Sequence, residues 1–176
     1  MFPQTLLLLF LSATASIATV VKPKPKPPLK PYLLHTLTTF SPSGRPGSSP
    51  WSLVNLTFSD LEFNNNVTCG AKYTWEDPLW NNVTECAHTP TTKDKYTKYS
   101  FQMLKPTASG EGASLLNNFM LHLRHDAEKG VYVATQRFNF DSDRNIGGLC
   151  SASGVCSFGL REEVRPYYIH QTKLER

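Results

Sequence analysis

The feature that most constrains the fold is a period-two alternation of apolar and polar side chains in several short segments. In residues 51–60, Val54, Leu56 and Phe58 alternate with polar side chains, and residues 117–126 repeat this pattern with phenylalanine and leucine. Successive side chains of a β-strand point to opposite faces. Each segment is therefore predicted to be a strand with one buried and one solvated face.

Similar segments recur at near-regular spacing from residue 32 onwards, and turns rich in glycine, proline and asparagine separate them. No segment has a convincing helical period. This pattern predicts an all-β protein, a single antiparallel β-barrel or sandwich of about seven to eleven short strands. Residues 32–176 are assigned to this domain, and that length suffices for one hydrophobic core.

The segment before this domain has the composition of an export signal followed by a linker. Residues 1–18 contain no charged side chain, and an apolar run is followed by small residues that match a cleavage site. They are predicted to be a signal peptide, and the alternative is a membrane anchor. Polar residues interrupt the apolar run, so cleavage is favoured and no membrane span is expected. The protein is predicted to be secreted and extracellular.

Residues 19–31 are rich in lysine and proline, which alternate from Lys22 onwards, and are predicted to be an extended linker. Two interpretations remain open, a solvated spacer and an arm that adheres to an acidic surface. The net charge of +4 comes from the four lysines of this segment, since the other basic and acidic side chains are equal in number. A basic nucleic-acid-binding face is therefore not expected on the folded part.

Four cysteines in an exported chain predict disulfide bonds. Three pairings are possible, and the sequence alone does not choose among them. Closure of short loops favours Cys69 with Cys86 and Cys150 with Cys156. A zinc site is disfavoured because no Cys-x-x-Cys pair is present.

Three Asn-x-Thr triplets begin at Asn55, Asn66 and Asn82. Such triplets are acceptors for N-glycosylation in secreted proteins. Three of them within a short stretch behind an export signal predict a glycosylated surface.

No metal or cofactor is predicted. His122 and His125 have the spacing of a ligand pair, but on a strand they point to opposite faces, so two solvated histidines are expected. Asp141, Asp143 and Asn145 resemble part of a calcium loop, yet the glycine and distal glutamate of such a loop are missing.

No catalytic residue is predicted either. The acidic pairs Glu162 with Glu163 and Asp126 with Glu128 are candidates for a wall-active hydrolase, but nothing in the sequence fixes their separation. The chain has no nucleophile elbow, phosphate-binding loop or dinucleotide fingerprint. The chain is therefore expected not to be an enzyme.

The aromatic side chains favour a core role over a ligand site. Trp75 shares the inward parity of Cys69 and Tyr73 and is expected to be buried. The exposed exceptions are expected at Trp80 and at the Tyr167-Tyr168 pair, beside prolines.

Several short motifs resemble the Alternaria major-allergen family of secreted fungal proteins. They are a strand with Phe-Ser, a Thr-Cys strand, an aromatic segment closing at a cysteine, a Tyr-Val-Ala-Thr strand and a close cysteine pair. Their positions are Leu56-Thr57-Phe58-Ser59, Val67-Thr68-Cys69, Cys86, Tyr132-Val133-Ala134-Thr135, and Cys150 with Cys156.

The resemblance implies an eleven-stranded type of β-barrel with disulfides Cys69–Cys86 and Cys150–Cys156. It also implies an allergen-like or effector-like protein that binds host extracellular proteins or cell-wall polymers without catalysis. The alternative expectation is a carrier of a small ligand or glycan. The sequence makes no prediction of the oligomeric state.

Overall fold

The computed structural model describes residues 27–89, 97–106 and 112–175. The predicted signal peptide (residues 1–18) and most of the predicted linker (residues 19–31) lie outside these described residues. β1 begins at Tyr32, where the sequence places the start of the folded domain.

The described chain is all-β, as predicted, with eleven strands and one short 3-10 turn at Glu162–Val164. In chain order the strands are β1 (Tyr32–Ser41), β2 (Ser52–Asp60), β3 (Asn65–Tyr73), β4 (Thr84–His88), β5 (Lys98–Leu104), β6 (Asn118–Ala127), β7 (Gly130–Asn139), β8 (Ile146–Cys150), β9 (Cys156–Leu160), β10 (Tyr167–Ile169) and β11 (Thr172–Leu174).

The strands form one curled antiparallel sheet, a half-barrel. Its order is β11-β7-β6-β5-β4-β3-β2-β1-β9-β8, and β10 pairs with β1 outside this path. β1 therefore pairs with β2 along one edge and with both β10 and β9 along the other. Because β10 pairs with β1 and β11 pairs with β7, residues 167–174 join two distant parts of the curled sheet.

The concave face of the sheet holds the core. In β2, every second side chain from Ser52 to Asp60 is buried, and Leu53, Asn55, Thr57 and Ser59 face outwards. The same alternation in β1, β3, β5 and β6 fills the interior with aromatic and aliphatic side chains. The largest that are fully buried include Tyr32, Phe58, Tyr99, Phe101, Phe119, Phe138 and Leu121. Burial of each of these side chains contributes roughly 1.5–3 kcal/mol. The apolar face of each strand therefore favours a curled sheet, in which that face is removed from water.

Both favoured disulfides are present, and the described residues contain no free cysteine. Cys69–Cys86 joins β3 to β4 next to the core, and Cys69 is buried. Cys150–Cys156 closes the β8–β9 hairpin between directly opposed residues. Both bridges therefore fix the register of neighbouring strands.

The inward position predicted for Trp75 is wrong. β3 ends at Tyr73, so the alternation does not continue, and Trp75 is 85% exposed. Trp80 and Tyr167, expected to be exposed, are half-buried against the core, whereas Tyr168 is exposed as predicted. In the described ranges, no helix is long and apolar enough to span a membrane.

Candidate functional site

The three asparagines of the predicted glycosylation sites are all exposed. Asn55 and Asn66 lie on the outward faces of β2 and β3, and Asn82 lies in the loop before β4. Their glycosylation stays a prediction, and each is placed where a glycan could be carried without disturbing the core.

The interior contains a buried polar cluster around Asp60, which we call the Asp60 cluster (Asp60, Asn65, Tyr99, His125 and Gln171). Asp60 and His125 are both fully buried, and Asp60 Oδ2 lies 3.1 Å from His125 Nδ1. His125 Nδ1 does not meet hydrogen-bond geometry toward this oxygen, so the two side chains are in close polar contact without a hydrogen bond. The Tyr99 hydroxyl donates to the same Oδ2 at 3.0 Å.

The other oxygen of Asp60 is also satisfied. Oδ1 accepts the backbone N–H groups of Glu62 at 3.0 Å and Phe63 at 3.3 Å, and Gln171 Nε2 lies 3.4 Å away. Burial, and then the charge of Asp60, raises the pKa of the nearby Tyr32 phenol far above its ordinary value. Tyr32 therefore stays protonated throughout the physiological range.

Aromatic rings cover His125. Its ring stacks on Tyr99 with centroids 4.2 Å apart, stacks on Tyr132 at 5.7 Å, and meets the Phe63 ring edge-on at 4.4 Å. A general acid or base must lie within hydrogen-bond reach of a substrate atom. Asp, His and Tyr side chains meet here, but all are sealed from solvent, so the Asp60 cluster organises the core rather than a reaction.

His122 lies on the outward face of β6, opposite in direction to His125, as the sequence predicts. The expectation of two solvated histidines is nevertheless wrong, because His125 is fully buried. Among the described residues, no group of three or more His, Cys, Asp or Glu side chains could hold a metal ion.

We expect the half-buried His122 to make stability depend on pH. Burial, and then the charge of Arg124, lowers the pKa of His122 below its ordinary 6.5. The unfolded chain then binds more protons, so stability should decrease as the pH falls through 6.5. Urea unfolding at pH 7.5 and pH 5 should show a larger loss for the wild type than for His122→Gln, by less than about 1 kcal/mol because water screens the site. Equal losses in the two proteins would contradict this assignment.

The loop that resembles part of a calcium site, residues 141–145, is held by hydrogen bonds and an ion pair of neighbouring side chains. Asn139 Oδ1 accepts the backbone N–H groups of Asp141 and Ser142 at 2.7 and 2.6 Å. Asn145 is buried and donates to the Arg137 carbonyl oxygen at 2.8 Å. Asp143 Oδ2 lies 3.6 Å from Arg137 Nε. These polar groups stabilise the β7–β8 connection.

The acidic pairs do not form a paired-carboxylate site. Glu162 and Glu163 are exposed in the 3-10 turn, and Glu163 lies 3.6 Å from Arg161 NH1. Asp126 makes two short hydrogen bonds with Arg124 at 2.7 and 2.8 Å, and Glu128 is exposed in the β6–β7 turn. A glycosidase needs two carboxyl groups facing one bond.

The candidate binding site is a groove between the β1–β2 loop and the segment after β3, which we call the tryptophan groove. It has a volume of about 650 Å³ and is lined by residues 41–50, Ser52, Thr74, Trp75 and Glu76. β2 and β3 pair up to Ser52 and Tyr73, so the register of the sheet brings the loop and Trp75 together.

The wall opposite Trp75 is built from serine, proline and glycine. Ser43 and Ser48 share a hydrogen bond of 2.7 Å, and the Ser48 backbone N–H donates to the Arg45 carbonyl oxygen at 3.0 Å. These bonds and the prolines order the loop. Arg45 and Glu76 are the charged side chains of the lining, and they have opposite signs. The groove therefore offers one large aromatic surface and many hydroxyl groups without net charge.

Comparisons with protein-family models, curated proteins and solved structures find no match for this chain.

Neither the Asp60 cluster nor the tryptophan groove was predicted from the sequence, although part of the signal for each was present in it. Asp60 has the inward parity of Phe58, and His125 has that of Leu123, so the alternation marks both as buried. The exposure of Trp75 depends on where β3 ends, and the glutamate, aspartate and proline that follow it are the signal for that end.

Proposed function

We propose that this protein is a secreted, N-glycosylated binding protein of effector type that acts without catalysis. Two closed disulfides support an oxidising compartment, because such bonds persist outside the cytosol. The exposure of all three glycosylation asparagines is in keeping with passage through a secretory pathway. The sealed position of His125 and Asp60 supports a role in binding rather than chemistry.

We propose that the ligand is a neutral cell-wall polysaccharide, bound in the tryptophan groove. The observation that carries this proposal is the 85% exposure of Trp75 beside a groove lined by serines. An indole beside a concave surface lined by hydroxyl groups provides a flat apolar platform next to hydrogen-bonding groups. One face of a pyranose ring is made of C–H groups that pack on an indole, and its rim carries hydroxyl groups.

The lining favours a carbohydrate over a charged ligand. Arg45 and Glu76 compensate each other, so the groove provides no field for an anionic polymer. The serine hydroxyls and backbone groups of residues 41–50 can exchange hydrogen bonds with sugar hydroxyls. A few polar groups around an aromatic platform are the usual composition of a ligand site.

We expect Trp75→Ala to abolish most of the binding. Loss of the stacking surface should weaken the affinity for the preferred polysaccharide at least about tenfold, or about 1.4 kcal/mol. The measurement is co-sedimentation with insoluble chitin, cellulose and β-1,3-glucan, followed by calorimetry with soluble oligosaccharides of the polymer retained.

Trp51→Ala is the matched control. Trp51 is 49% exposed and close in sequence to the groove, but it is not among the residues that line it. Its replacement should change affinity by less than about threefold. Equal losses in the two variants would refute the groove as the site. Retention of the wild type by host extracellular proteins, with no polysaccharide bound, would refute the ligand class.

A further inference from the structure

A row of residues without large side chains crosses the outer face of five neighbouring strands. Gly70 of β3 is opposite Asn55 of β2, which is opposite Thr38 of β1. Thr38 is opposite Gly159 of β9, and Gly159 is opposite Gly147 of β8. We call this row the glycine lane. It is continuous only because the sheet places β9 and β8 beyond β1.

Three glycines in one row of a sheet require a reason, because glycine in a strand is destabilising and often marks a close approach. At Gly70 the reason is visible. A Cβ there would lie 2.8 Å from Asn55 Oδ1, so the Asn55 amide extends over this glycine. At Gly159 a Cβ would lie 3.6 Å from Thr38 Cγ2 and 3.1 Å from the Leu37 carbonyl oxygen. The floor of the lane therefore consists of backbone at the glycines and of the short side chains of Asn55 and Thr38 between them.

The two rims of the lane differ in chemistry. On one side, the next outward row consists of Lys72, Leu53, Phe40, Ser157 and Leu149. Of its apolar members, Leu53 and Phe40 are half-buried and Leu149 is 70% exposed. This rim offers an apolar surface along the lane.

On the other side, the outward row consists of threonines. Thr36 and Thr57 share a hydrogen bond of 2.7 Å, and Thr68 lies opposite Thr57. At the far end, the Arg161 side chain lies over Gly147, with its Cγ 3.2 Å from the position of a Cβ. A shallow depression of about 760 Å³ is lined by this end of the lane, including Thr38 and Gly159.

We propose that an N-linked glycan on Asn55 lies along the glycine lane instead of extending into solvent. Asn55 lies in the floor of the lane, directly beside Thr38, and begins the triplet Asn55-Leu56-Thr57. Within the described residues, the Asn55 side chain has no hydrogen-bond partner. Its amide nitrogen is therefore available to carry a sugar. This inference rests on the secretion and glycosylation proposed above.

The attachment is the ordinary secretory reaction with a polyprenyl-diphosphate oligosaccharide. The Asn55 amide nitrogen bonds to the anomeric carbon, the bond from that carbon to the diphosphate breaks, and the amide proton is released. Once attached, the glycan stays beside the lane at high effective concentration. The C–H faces of its sugars match the apolar rim, and their hydroxyl groups match the threonine rim.

Asn66 provides an internal comparison on the same outward face. It lies opposite Ser59, which donates to Asn66 Oδ1 at 2.7 Å, and it is not part of the glycine lane. A glycan on Asn66 is therefore expected to extend freely into solvent.

The test measures how quickly a peptide-N-glycosidase releases each glycan from the folded protein. The full chain is expressed in a eukaryotic secretory host, and release at Asn55 and Asn66 is followed by peptide mass spectrometry. A glycan held in the lane should be released from Asn55 at least about tenfold more slowly than from Asn66, because only its undocked fraction reaches the enzyme. After denaturation the two rates should be equal.

Thr38→Arg tests the lane directly, since this exposed side chain would fill the floor without entering the core. It should raise the Asn55 release rate to that of Asn66. Thr135→Arg, at an exposed position in the middle of β7, is the matched control and should leave both rates unchanged. If Asn55 carries a glycan and releases it from the folded protein as fast as Asn66 does, the glycan does not lie in the glycine lane, although the proposed glycosylation would stand. Unoccupied Asn55 beside occupied Asn66 or Asn82 would also overturn this placement of the glycan, whereas three unoccupied sites would refute the proposed glycosylation itself.

Discussion

Replacing Asp60 by leucine is expected to lower the free energy of unfolding by about 3–5 kcal/mol, because several buried polar groups lose the carboxylate that they contact. The variant leaves Tyr99, His125 and two backbone N–H groups without the carboxylate that they now contact. Each buried polar group that loses its partner adds to the loss. Since small domains have a total stability of about 5–15 kcal/mol, this single change should remove a large share. Urea unfolding followed by circular dichroism measures it.

Asp126→Ala is the matched control for this prediction. Asp126 also pairs with a basic side chain, Arg124, but that pair is partly exposed and should contribute less than about 1 kcal/mol. Asp60→Leu combined with His125→Phe should be less destabilised than the sum of the single variants, because the partners are coupled. If the free energy of unfolding of Asp60→Leu lies within about 1 kcal/mol of the wild type, the Asp60 cluster does not organise the core.

The second large effect is expected at the bridge between β3 and β4. Cys69–Cys86 spans 17 residues, whereas Cys150–Cys156 spans 6. In the chain-entropy description, opening the longer loop costs about 3 kcal/mol and opening the shorter one about 2 kcal/mol. The longer bridge also packs against the core, so replacing Cys69 and Cys86 by alanine removes apolar contacts as well.

The two double-alanine variants can be compared under identical conditions. The urea midpoint should fall further for the Cys69 and Cys86 variant than for the Cys150 and Cys156 variant. The unfolding slope should also increase when either bridge is removed, since the unfolded chain becomes less compact. A larger loss at the short hairpin bridge would contradict this order.

The alternation of apolar and polar residues was enough to predict the strands and the buried face of each strand. The alternation at residues 51–60 predicts β2, and Gly130 marks the β6–β7 turn, where its φ is +145°. Short loop closure favours the pairing of Cys69 with Cys86 without determining it, and the structure confirms this pairing. The prediction failed where a strand stops, at Tyr73, because parity was continued to Trp75 after the ladder had ended.

The Asp60 cluster and the glycine lane depend on contacts between residues that are far apart in the sequence, and the local pattern does not predict such contacts. Asp60 and His125 lie on β2 and β6, which are not neighbours in the sheet, and only the curl brings them together. Gly70 and Gly159 share a lane because β9, which pairs with β8 on one side, pairs on its other side with β1, a strand distant in sequence. The sequence shows which face of its strand each residue occupies. Its neighbour on the next strand is known only when the registers of the whole sheet are known.

The pairings of β10 with β1 and of β11 with β7 also bear on biosynthesis. The strand made first in the described chain acquires one of its neighbours only when residues 167–174 emerge. These pairings are therefore expected to form only after residues 167–174 have been made, and β1 keeps part of one edge unpaired until then. During translocation that edge would be a natural target for a chaperone.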